Sequence, residues 1–200
     1  VAAYAIGRRV MLLALMPAWG YSTASSTLVG QSIGAGEDEE ATEYGWQTLR
    51  IALVTQLLIG AVLFAAARPV AVAFGTEHVD LTVTFVRVFG LGVAGFSVSR
   101  TMRGGLRGAG DTRWPFYGAF VGMYFFKLPV ALLAVAPGVA LFEVAGWQFA
   151  PGMGFGLVAV YVSILGDMYL RAGVNVFRFW TGEWKRIARE SDVGAGTGAD

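Results

Sequence analysis

A chain of 200 residues that is 56% hydrophobic and only 14% charged, with a mean hydropathy of +0.58, has too little polar material to solvate a water-facing globule; soluble domains carry roughly 25% charge. The 14 Phe, 6 Trp and 7 Tyr spread over long apolar runs exclude a fibrous or low-complexity chain, so lipid is the solvent. Zero cysteines exclude disulfides, thiol nucleophiles and thiolate metal sites, a single histidine (His78) excludes a multi-histidine cluster, and a net charge of +1 with scattered Arg residues offers nucleic acid no surface.

Five apolar stretches each have the roughly 20 residues that a helix needs to cross hydrocarbon. The first runs from about Ala2 to Gly34, with Pro17 near its middle and a Ser/Thr-rich second half, Ser22 to Thr27. A kink and polar groups at that depth are tolerated where they line a cavity or face protein. Gly34-Ala35-Gly36-Glu37-Asp38 then breaks the run, and the acidic residues Glu37 to Glu40 read as a solvated connection that caps the next helix. The second stretch, about Tyr44 to Ala66, holds Thr55 and Gln56, and the third, about Val79 to Arg103, holds Arg87, Ser97 and Ser99. Gly108-Ala109-Gly110-Asp111 is the next turn, followed by a fourth stretch from about Pro115 to Ala136 with Lys127 inside it. The fifth, about Met153 to Phe179, contains Asp167 and Arg171. Period-2 alternation is absent, which leaves a helical bundle over residues 1–189, and the Gly-rich segment 190–200 reads as a disordered tail.

Small residues four apart let membrane helices approach closely, and the pattern recurs at Gly30/Gly34, Gly104/Gly108 and Gly118/Gly122. Loop charge sets orientation. The side of the tail receives Arg178, Lys185, Arg186 and Arg189 together with Arg103, Arg107 and Arg113, whereas the opposite side receives Arg68 and none between Pro137 and Gly152. The tail side is therefore expected to be cytoplasmic, with Val1 outside. Val1 is not an initiator Met and no signal peptide precedes the first stretch, so upstream helices are expected and the chain reads as a fragment of a longer protein.

Ala24-Ser25-Ser26-Thr27-Leu28-Val29-Gly30-Gln31 with Gly34-Ala35-Gly36, the turn Leu106-Arg107-Gly108-Ala109-Gly110-Asp111-Thr112-Arg113 before Pro115, and the exit Arg178 to Lys185 together resemble the multidrug and toxic compound extrusion (MATE) transporters in order and spacing. The resemblance covers nearly the whole chain except the tail. It implies helices eight to twelve of a twelve-helix, two-lobe antiporter of the plasma membrane, with the N-terminal lobe missing. The family-motif positions are Gly30, Gln31, Gly34, Arg107, Gly108, Gly110 and Asp111. The resemblance further implies exchange of Na⁺ or H⁺ inward for small organic, often cationic, drug-like compounds outward. In one branch of the family an acidic residue of the tenth helix helps to bind the coupling cation; the matching position here is Phe96, which has no ligand atom. In the other branch those carboxylates lie in the N-terminal lobe, so no cation ligand carries over.

An ionisable group at membrane depth is a functional hypothesis by default. Asp167 is the one carboxylate well inside an apolar stretch and thus the internal candidate for a proton or cation site, the competing reading being a structural ion pair with Arg171 or Lys127. Arg87 faces either a cavity or the interface, and Gln56 bonds either a substrate or a neighbouring helix. No catalytic pairing, phosphate loop, metal-ligand spacing or cofactor motif is present, so an enzyme is not expected. The rival readings are a lipid-linked oligosaccharide flippase of the same superfamily, which a basic central cavity would favour, and an inert truncated membrane fragment.

Overall fold

Pro17 decides the geometry of the first stretch, because proline has no N–H to give the carbonyl four residues back and its ring crowds that carbonyl. In the computed structural model, which describes residues 1–144 and 147–196, the helix breaks there. Helices α1 (Ala2–Ala14) and α2 (Met16–Gly34) meet at Leu15, and the Ala18 N–H bonds to Leu15 C=O at 3.0 Å. The Ala14 carbonyl accepts a 3.3 Å hydrogen bond from Gln56 Nε2 of α3 (Asp38–Ala65) instead. The expected single span is therefore two helices, with the break satisfied by a fully buried side chain of a neighbour.

Two turns share one construction. At the ends of α2 and of α5 (Val79–Gly108) the sequence reads Gly-Ala-Gly followed by an acid, and both close as a Schellman motif. Gly36 (φ 79°) and Gly110 (φ 83°) supply the left-handed residue, where a side chain would be strained. Glu37 N–H reaches back to Ser32 C=O, and Asp111 N–H to Leu106 C=O, each at 2.8 Å. Asp38, Glu39 and Glu40 then occupy the first turn of α3, against the positive end of the helix dipole. That helix starts earlier than the apolar run foretold.

Helix α5 is the hub, with 72% of its apolar segment buried. Glycine makes the close approaches. A Cβ on Gly104 or Gly108 would lie 2.1 or 2.2 Å from the carbonyl oxygens of Ser22 and Ser26 on α2, and one on Gly60 of α3 would lie 2.6 Å from Gly90 O. The Ser-rich face of α2 thus packs against α5. Gly30 meets the Gly108 backbone, but a Cβ on Gly34 would touch nothing within 4 Å, so that half of the expected Gly30/Gly34 pair does no packing.

After the short α4 (Ala67–Ala73) and α5, a continuous helical stretch runs as α6 (Arg113–Val121), a π-helical turn (Gly122–Lys127) and α7 (Leu128–Leu132). Pro129 follows at once, and the widened turn accommodates its ring. An unforeseen antiparallel hairpin, β1 (Phe142–Val144) with β2 (Trp147–Phe149), precedes α8 (Gly156–Thr181). Among the described residues four helices, Asp38–Ala65, Val79–Gly108, Arg113–Leu132 and Gly156–Thr181, are long and apolar enough to cross a membrane, and α1 and α2 together make up the first of the five apolar stretches.

The expected disordered tail is corrected in part. Helix α9 extends over Glu183–Gly196, and 197–200 lie outside the described residues. Trp184 anchors α9: fully buried, it stacks on Phe179 with centroids 4.9 Å apart and donates from Nε1 to Phe179 C=O at 2.9 Å.

Candidate functional site: a cationic cavity between helices

A cavity of about 400 Å³ lies where α1, α2, α5, the π-helical turn and α8 converge. Spacing on α5 builds one wall: Phe96, Ser99, Arg100 and Arg103 recur at three- and four-residue steps and so share a face. Helix α1 contributes Tyr4, Arg8 and Met11, and α2 contributes Trp19. Facing them, Asp167 and Arg171 stand one turn apart on α8, and Lys127 closes the π-helical turn. The π geometry matters because it adds a residue to the turn and so sets the direction in which Lys127 points.

Asp167, 6% exposed, holds both neighbouring cations. Arg171 Nε donates to its Oδ1 at 2.6 Å, and Lys127 Nζ stands 3.7 Å from Oδ2. Gly122 makes room for this arrangement, since a Cβ there would come within 2.8 Å of Asp167 Oδ1. The structure thus gathers three of the residues singled out in the sequence.

It separates the others. Arg87 is exposed on the outer side of α5, with its guanidinium 5.0 Å from the Phe64 ring centroid, and does not line the cavity. Gln56 is spent on the α1–α2 break. Thr55 accepts from Tyr21 Oη at 2.9 Å, whereas Ser99 stays in the cavity wall and accepts from Asn175 Nδ2 at 3.0 Å. Phe96 does face the cavity, apolar where a coupling acid was sought.

Among the motif positions, Gly30 and Gly108 pack, Gly110 turns, Gln31, Gly34 and Arg107 are exposed, and Asp111 is buried. Asp111 accepts from Arg178 Nε at 2.7 Å and from the Trp114 N–H at 3.3 Å. Arg178, read from the sequence only as a cytoplasmic charge, also lies over the Trp114 ring and donates to Glu183. Together they tie the α5–α6 turn to the end of α8. Nearby, Arg189 of α9 pairs with Asp38 at the start of α3. The 34–38, 108–113 and 178–189 segments therefore share one end of the bundle. At that end the Glu37 carboxyl group donates a hydrogen bond to the Glu40 carboxylate, and this bond, with the Glu40 charge, raises the Glu37 pKa above the ordinary carboxylate value.

Sequence reading missed Arg8, Arg100, Arg103 and Trp19 as cavity residues. Arg103 had been placed in a connection, but α5 continues helical to Gly108. The available signal was the spacing of Phe96, Arg100 and Arg103 on one helical face. Among the described residues no group of three or more His, Cys, Asp or Glu is placed to hold a metal ion.

A multi-pass helical membrane protein with a charged cavity at a helix junction has the build of a transporter lobe. The comparisons make the assignment: residues 1–133 match the MatE family model, and the chain belongs to the MatE family, whose members are transporters and not enzymes. It is 28% identical over 189 residues to the probable multidrug resistance protein NorM of Thermotoga maritima, covering 94% of this chain and 38% of that protein. It is 25% identical over 186 residues to multidrug and toxin extrusion protein 2 of Mus musculus, covering 92% of this chain and 30% of that one. The fold matches the crystal structure of the eukaryotic MATE transporter AtDTX14 with a TM-score of 0.74 at 21% identity, over 94% of this chain and 40% of the other. The chain thus spans well under half of the proteins it resembles.

Proposed function

We propose that residues 1–200 form one lobe of an efflux transporter that expels small organic compounds across the plasma membrane, driven by inward movement of Na⁺ or H⁺. The observation that carries this reading is the cavity: about 400 Å³, walled by Tyr4, Trp19, Phe89 and Phe96 and by charged groups, at a junction of membrane helices. Aromatic walls with a few placed charges are what a site for drug-sized molecules requires. Family membership and the names of the relatives, multidrug resistance and multidrug and toxin extrusion proteins, support the same reading. A second lobe would complete the cavity, and rocking of the two lobes would alternate its access. The end that carries the 108–113 turn and α9 is assigned to the cytoplasm on its Lys and Arg content.

The test is transport in proteoliposomes that hold the protein with any native sequence flanking residues 1–200. An imposed Na⁺ or pH gradient should drive uptake or release of fluorescent drug-like dyes, with collapse of the gradient abolishing it. Dye movement indifferent to both gradients would overturn the coupled-efflux reading.

A further inference from the structure

The cavity wall carries more positive charge than it neutralises. Arg8, Arg100, Arg103, Lys127 and Arg171 face it with a single carboxylate, Asp167, which leaves a formal charge of +4 among the described residues. Asp167 is already shared between Lys127 and Arg171. Arg8, Arg100 and Arg103 have no carboxylate within ion-pair distance among the described residues. The Nε atoms of Arg100 and Arg103 are buried and meet no acceptor among the described residues, and the Arg100 guanidinium is backed by the Trp19 ring, 5.4 Å from its centroid.

Unneutralised guanidinium groups at membrane depth are costly and are kept where something supplies the opposite charge. The guanidinium fork matches a carboxylate, sulfonate or phosphate with paired hydrogen bonds, which an ammonium does not. A cationic compound would enter this half of the cavity against like charge. We propose that the cavity binds organic anions, with Arg103 and Arg100 gripping the anionic group and the aromatic wall taking the body. This deepens the efflux reading and rests on it for the direction of transport, but not for binding.

Fluorescein and rhodamine 6G share one xanthene skeleton and carry opposite charges at neutral pH, so they separate charge from shape. Fluorescence polarisation with the purified protein, any native flanking sequence included, in nanodiscs of zwitterionic lipid should show fluorescein binding about tenfold tighter or more. Arg103→Gln should weaken fluorescein by about tenfold, the size expected for one charged hydrogen-bonding partner, and leave rhodamine 6G unchanged. Arg103→Lys should recover part of the loss, and Arg100→Gln gives an independent reading if Arg103→Gln does not fold. Competition by farnesyl pyrophosphate well below the concentration needed for inorganic pyrophosphate would assign the anion to a lipid pyrophosphate; equal competition would assign it to a soluble anion, and both keep the proposal. Rhodamine 6G binding as tightly as fluorescein would overturn it, because carboxylates from elsewhere would then neutralise the arginines. So would fluorescein affinity unmoved in folded Arg103 and Arg100 variants. Gradient-driven movement of rhodamine 6G without fluorescein binding would retain efflux and remove the anion site. Fluorescein bound tightly but moved by no gradient would do the reverse.

Discussion

Asp167 sits between two cations, and their unequal burial separates its partners. Arg171 is 20% exposed and in direct contact, whereas Lys127 is 42% exposed and 3.7 Å away. Removing the carboxylate strands Arg171 first, and breaking such a buried pair costs about 3 kcal/mol. Asp167→Asn should therefore lower the thermal unfolding midpoint in detergent clearly. Adding Arg171→Gln should restore most of the loss, because an absent charge costs less than an unpaired one, and adding Lys127→Gln should restore less. An Asp167→Asn protein as stable as the parent, but dead in pH-driven transport, would reassign Asp167 from scaffold to proton carrier. The sequence located this group by hydropathy alone, since a charge in an apolar run stands out. It did not reveal that both cations converge on Asp167, because Lys127 reaches it from the π-helical turn, and no apolar period encodes a π turn.

Among the elements, α2 and α5 depend on each other most sharply, through backbone rather than side chains. Gly104→Ala would drive a methyl to within 2.1 Å of the Ser22 carbonyl oxygen, and backbone cannot rotate away as a side chain does. The crossing must open, at a cost of about 2–3 kcal/mol. Gly34→Ala, with nothing within 4 Å, should be neutral or stabilising by at most about 1 kcal/mol through helix propensity. Thermal unfolding of the two variants side by side checks the pair; equal midpoints would refute the tight crossing. The long helices were legible as apolar runs because lipid demands them. The break at Leu15 was legible only as a kink at Pro17, since its rescue by Gln56 is a tertiary event. Helix α9 was not legible beyond Arg189, because its Gly-rich end reads as coil, and the apolar anchoring of Trp184 on Phe179 acts from another helix.

For the whole molecule, three connections distant in sequence gather at one end, tied by Arg178 to Asp111 and by Arg189 to Asp38. The α7–α8 connection, with its hairpin, lies at the opposite end because α6 through α7 runs continuously from the 108–113 turn. Only one of the two ends concentrates Lys and Arg: Arg107, Arg113, Arg178, Lys185 and Arg186 stand near the first, while the connection from Pro137 to Gly152 has none. Positively charged loops are retained on the cytoplasmic side during insertion. The chain has no cysteine, so a single introduced thiol reports its own side without background. Thr112 and Val139 are exposed residues of the two opposed connections. In intact cells a membrane-impermeant maleimide should label Val139→Cys and spare Thr112→Cys, with the latter reacting only after permeabilisation. Labelling in the reverse order would turn the bundle over, place the tail outside, and invert the side from which the cavity is loaded.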